Sequence, residues 1–179
     1  MPMASLKRII RHLFPAAGRP CRGDRGAVAV EFALVGPIFL LLVVMILELG
    51  LVQITQSNLD FATDDAARLI RVGTIQTGGG STAFRARICA DVGALIPCGA
   101  IQYNVQAGNS FGGLNSTIQT NAGGDMVNTQ FTPGTPGQYV LVQVGYNRNF
   151  LMAWAGSFLG SNNKRLLMST VAFQNEIYQ

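Results

Sequence analysis

Residues 25–48 read Arg25-Gly26-Ala27-Val28-Ala29-Val30-Glu31-Phe32-Ala33-Leu34-Val35-Gly36-Pro37-Ile38-Phe39-Leu40-Leu41-Leu42-Val43-Val44-Met45-Ile46-Leu47-Glu48. From Ala27 to Leu47 there are 21 residues, and only Glu31 is charged. A helix of that length is about 31 Å long, close to the roughly 30 Å hydrocarbon core of a bilayer. It also satisfies its own backbone polar groups, which lipid cannot do. The competing reading is the buried core helix of a soluble protein. Core helices are usually shorter, and this run has a basic flank on one side only, so it is read as a membrane span.

Outward from the run, charge is unevenly distributed. The chain has 179 residues and a formal charge of +4. Residues 1–26 carry Lys7, Arg8, Arg11, Arg19, Arg22 and Arg25 against Asp24, a net +5, whereas residues 27–179 carry seven basic and eight acidic side chains, a net −1. The basic character therefore belongs to the leader. A nucleic-acid-binding surface would need clustered positive charge beyond it, so no nucleic acid is expected as a partner. The positive-inside rule keeps residues 1–26 cytoplasmic and exports the rest. Lys7, Arg8 and Arg11 with Leu6, Ile9, Ile10 and Leu13 allow either a short amphipathic helix or a disordered basic tail. A secretory signal peptide is a poor fit: the apolar run is too long, and the small residues Gly26 and Ala27 precede it rather than follow it.

That placement carries a resemblance. Gly26 followed by Ala27-Val28-Ala29-Val30-Glu31-Phe32 resembles the processing site of type IV prepilins. There a membrane-embedded prepilin peptidase cuts after the glycine, and a glutamate is fifth in the mature chain; counted from Ala27, Glu31 is fifth. The Flp-type branch usually has tyrosine next, for which Phe32 is a close aromatic substitute. The longer string over residues 25–37 is more particularly similar to TadE-like pseudopilins of the tight-adherence (Tad/Flp) pilus system. The resemblance extends to about residue 72. It implies a minor pseudopilin in the bacterial inner membrane, with a periplasmic C-terminal part and a role in pilus biogenesis, adhesion and biofilm formation. Its implied partners are prepilin peptidase, other pseudopilins, Tad secretion and assembly components, and inner-membrane lipid. TadG-like proteins share the N-terminal pattern and supply an alternative: an uncleaved single-pass anchor carrying a periplasmic binding or scaffold domain.

Glu31 has a physical role to match. A carboxylate inside a bilayer costs several kcal/mol unless neutralised or paired. It lies about 6 Å along the axis from an α-amino group created at Ala27, so it can pair with its own or a neighbour's terminus. The other reading is a glutamate snorkelling to the headgroups. Gly36-Pro37 predicts a bend near residues 33–37, since proline removes a backbone bond and crowds the preceding turn. Glu48 reads as a boundary marker reaching water.

The helix is expected to continue to about Val72. Leu59, Ala62, Ala66, Leu69 and Ile70 form an apolar face, opposite a stripe of Gln53, Gln56, Asp60, Asp64, Arg68 and Arg71. Asp64 and Arg68 are spaced as an i, i+4 pair, and Gly73 suits a helix terminus. Residues 74–81 read as a loop and 82–95 as a second helix capped by Ser81. Cys89 and Cys98 lie in the exported part and either pair or pack as small apolar side chains. Two cysteines do not complete a metal site, and the single histidine, His12, is in the leader, so no metal and no cofactor are expected. Strands are predicted at 101–107, 139–146 and 165–178, with a long polar loop at 108–137 that includes a short strand at 127–131. Residues 150–159 are apolar nearly all round, too short to span a bilayer, and read as a buried helix or a segment entering the outer leaflet. The resulting organisation is a leader (1–26), a transmembrane helix (27–48), its exported continuation (49–72) and a head (73–179). The fold class is α+β, a long helix carrying a pilin-like head with a small antiparallel sheet. The exported acids are scattered and no nucleophile–base pair is visible, so an enzyme is not expected.

Overall fold

The computed structural model describes residues 24–127, 129–152 and 163–177. The leader reading and residues 153–159 of the apolar segment lie outside them. The chain divides into two units, residues 1–43 and 44–179. The described part of the first is helical throughout and belongs to α1, Asp24–Arg71. Pro37 lies inside α1, with helix on both sides of it. Val28, Val30, Phe32, Leu34, Val35 and Ile38 through Leu42 are all more than half exposed. Apolar all round and exposed among the described residues, this helix is a candidate membrane span.

The second unit begins with the last apolar turn of the run and contains the head. Short helix α2 covers Thr74–Thr77, and α3 covers Gly80–Asp91. Three strands follow: β1 Ile101–Gly108, β2 Tyr139–Asn149 and β3 Lys164–Gln174. They form an antiparallel meander in the order β1-β2-β3. Helix and small antiparallel sheet together make the fold α+β.

Alternation explains the register. Val105 pairs with Val142 and Val142 with Val171, while Tyr146 stands between Ile101 and Leu167. This puts Val140, Val142, Val144 and Tyr146 on one face, where they meet Leu59, Ala62, Ala66 and Ile70 of α1 and Phe84 and Ile88 of α3. The α1 residues recur at steps of three and four, so one apolar stripe of the helix faces one apolar face of the sheet. Phe84 is fully buried, with its ring 5.3 Å from that of Tyr103 and 5.5 Å from that of Phe131.

The other face of the sheet is covered by the polar connection. Asn104 donates to Gln143 across the strands (3.1 Å), and Gln143 donates to the Ser116 carbonyl (3.0 Å). The Met126 N–H donates to Gln102 (2.6 Å). Met126 lies over Gly145: a Cβ there would stand 2.5 Å from the Met126 sulfur, so a side chain at this position of β2 would make the flexible Met126 side chain move.

Local chemistry changes several expected boundaries. Gly73 adopts φ 82°, and its N–H donates to the Ile70 carbonyl (3.1 Å), closing α1 as a left-handed terminal glycine does. Residues 74–77 then form a turn of helix instead of loop. The Ser81 cap is not formed: α3 starts two residues earlier, at Gly80, capped by Gly79 in the left-handed region with no side-chain cap. It ends at Asp91, and Gly93–Leu95 is a 3-10 turn. The strand expected at 127–131 reduces to a bridge, in which Val105 bonds Gln130 and Thr132 through its N–H and C=O. The expected pairing of Asp64 with Arg68 does not form. The charge on that flank is organised instead around Arg87, which binds Asp65 of α1 and Asp91 (3.3 Å); the hydrogen bond to Asp65 raises the Arg87 guanidinium above its ordinary value.

Cys89 and Cys98 form a disulfide, with 5.3 Å between Cα atoms, that ties α3 to the turn entering β1. Closing a loop of that size stabilises by about 2–3 kcal/mol through the unfolded chain. The double substitution Cys89→Ser/Cys98→Ser is expected to lower stability by that amount in a chemical-unfolding titration. Dithiothreitol should then leave the variant's unfolding midpoint unmoved while lowering that of the native chain.

Candidate processing site and the Glu48 junction

Gly26, Ala27, Glu31 and Phe32 all lie within the first turns of α1. The first four N–H groups of a helix have no partner within it, so this end unwinds at lower cost than the interior. The Gly26–Ala27 bond falls there, both residues are exposed, and a Cβ on Gly26 would meet nothing within 4 Å. Glu31 is likewise exposed and lines an open groove of about 280 Å³ with Val28, Phe32 and Val35.

The structure joins two residues that the sequence suggests for separate reasons. Phe32 lies one turn before Gly36, and a Cβ on Gly36 would stand 3.5 Å from the Phe32 ring. The ring thus covers the Gly36 backbone, which is buried although its neighbours are not. The spacing is i, i+4, which stacks side chains along one helix face.

Glu48 is the main correction. It does not reach water. Its side chain is 2% exposed, and Oε1 accepts from Nη1 of Arg148 and from the N–H of Leu151, each at 3.2 Å. Arg148 is itself only 12% exposed. Position along the helix, taken alone, points Glu48 at water. Its partner lies 100 residues away at the end of β2, where local pattern carries no information. One signal exists in the composition: Glu48 is the only acid between Glu31 and Asp60, and Arg148 the only basic residue between Arg87 and Lys164.

Near the same end of the sheet, Asn147 donates to the Asp125 carboxylate (3.0 Å) and to the Gly123 carbonyl (2.9 Å). The Asn147 bond holds the Asp125 carboxyl below its ordinary value, with smaller contributions from Asn121 and Lys164. No group of three or more His, Cys, Asp or Glu side chains able to hold a metal ion occurs among the described residues.

Residues 26–68 match the family model described as TadE-like protein. No curated protein and no solved structure matches the chain. The match begins at Gly26 and runs through most of α1, so over residues 26–68 the chain is similar to the TadE-like proteins.

Proposed function

We propose that the chain is a minor pseudopilin-like membrane protein that serves assembly of a Tad/Flp-type pilus. A prepilin peptidase matures it by cutting the Gly26–Ala27 bond. The observation that carries this reading is the TadE-like match, which starts at the glycine of the processing motif and includes Glu31 and Phe32. The leader stays cytoplasmic, residues 27–47 cross the inner membrane and the head is periplasmic, as the charge asymmetry favours. The chain is a peptidase substrate and carries no catalysis of its own.

The cut creates an amine at Ala27. Glu31, exposed on the helix surface about 6 Å along the axis, pairs with that amine on its own or a neighbouring helix. The pair lowers the cost of the carboxylate in lipid and sets an axial register between packed helices. Other pseudopilins and the Tad assembly components are the partners in this scheme.

Intact mass and N-terminal sequencing of the chain purified from its host's membranes test the reading. The expected result is a chain beginning at Ala27. Glu31→Ala is expected to be cut as well but to lose co-purification with the assembly components by about tenfold or more, the scale of a lost charge pair in lipid. A chain that retains residues 1–26, together with an innocuous Glu31→Ala, would instead identify an uncut anchor carrying a scaffold domain.

A further inference from the structure

Glu48 stands one residue beyond the apolar run, and the last turn of that run, Val44 to Leu47, belongs to the same unit as the head. Ile46 and Leu47 are exposed there. The bond from the Leu151 N–H to Glu48 therefore fixes the start of the β2–β3 connection beside the end of the uninterrupted apolar run of α1. A glutamate side chain reaches roughly 5 Å, so the Leu151 backbone lies within about 8 Å of the Glu48 backbone. The polar layer on each side of a bilayer is about 5–8 Å thick, so the connection begins inside that layer.

The connection opens on apolar residues. Phe150 is buried, but Leu151 is 72% exposed and Met152 40% exposed. On the returning strand, Arg165 is the register partner of Arg148 and Lys164 that of Asn149. Arg148 is occupied by Glu48, and Lys164 acts on the Asp125 carboxylate, whereas Arg165 is exposed. Exposed apolar side chains beside a cation, at the depth of the headgroups, have the composition of an interfacial anchor.

We propose that Leu151 and Met152 form a membrane-contacting tip that enters the headgroup–acyl boundary of the leaflet facing the head, with Arg165 against lipid phosphate. Lipid is the occupant because the tip starts at the residue bonded to Glu48, which directly follows the exposed apolar Ile46 and Leu47 in the helix. The head is then held to the bilayer at two points, the span and the tip, and the Glu48–Arg148 pair joins them. The inference rests on residues 27–47 crossing a bilayer and is independent of whether the bond after Gly26 is cut.

The test uses the full chain with Cys21→Ser, reconstituted in nanodiscs containing nitroxide-labelled lipid. A bimane fluorophore is placed at Met152→Cys, at Leu40→Cys inside the span, or at Phe111→Cys. Phe111 packs on Tyr139 at the other end of the sheet, about 30 Å away along β2. All three positions are exposed, so the labels leave the core intact. Lipid-borne quencher is expected to dim the Met152 and Leu40 labels at least about twofold more than the Phe111 label, as interfacial burial requires. Quenching at Leu40 with Met152 matching Phe111 overturns the tip and leaves the span standing. Equal quenching at all three overturns both.

Discussion

Replacing Arg148 by alanine lowers the stability of the head by about 3–5 kcal/mol, the cost of leaving a buried charge without its partner. Glu48 is nearly inaccessible and retains only the Leu151 N–H after the change, so its charge loses its main compensation. For a chain of this length that is a fall in Tm on the order of 10 °C, measured by thermal unfolding in detergent micelles. The paired substitution Glu48→Leu/Arg148→Met removes both charges and keeps apolar volume. It is expected to lie closer to the native chain than Arg148→Ala does, because a buried ion pair contributes little net stability over a hydrophobic replacement. A double variant as unstable as the single one would mean that the junction acts through packing and that its charges are incidental.

Phe84→Ala has an effect of similar size at the other end of the core. The ring is fully buried between α1, Tyr103 and Phe131, and its removal leaves a cavity that helix and sheet cannot close without moving apart. Large-to-small changes of this kind cost about 3–5 kcal/mol. Phe61→Ala serves as the comparison, since Phe61 is exposed on the same helix that contributes Leu59 and Ala62, and it should change stability by about 0.5 kcal/mol or less. Urea midpoints with unchanged slopes would measure both. Equal shifts for the two phenylalanines would contradict a core centred on Phe84.

These two sites differ in how far the sequence discloses them. Leu59, Ala62, Ala66 and Ile70 announce a buried helix face by period, and Val140, Val142 and Val144 announce a strand face by alternation, because both signals are local. The prepilin-like motif is local too, so Gly26, Glu31 and Phe32 stand out from the order of residues alone. Contact across the fold is different in kind. The Glu48–Arg148 pair spans 100 residues and has no periodic signature. The bridge of Phe131 to Val105 uses two backbone bonds within a polar connection and needs no apolar alternation. The start of α3 departs from the Ser81 expectation because a left-handed glycine at Gly79 takes the place of a serine hydroxyl.

The meander sets an order of events in time. The apolar face of α1 leaves the ribosome first, but β2, which covers it, follows about 70 residues later. At ordinary rates of synthesis that delay is roughly 4–14 s, long compared with the collapse of a small domain. During it, Leu59, Ala62, Ala66 and Ile70 have only α2, α3, the turn that follows and β1 to shelter them. The Arg71 carbonyl receives its bond from the Glu176 N–H still later, after β3 has been made. The apolar face of the nascent helix consequently stays only partly covered for several seconds, and truncation before β2 leaves it so permanently.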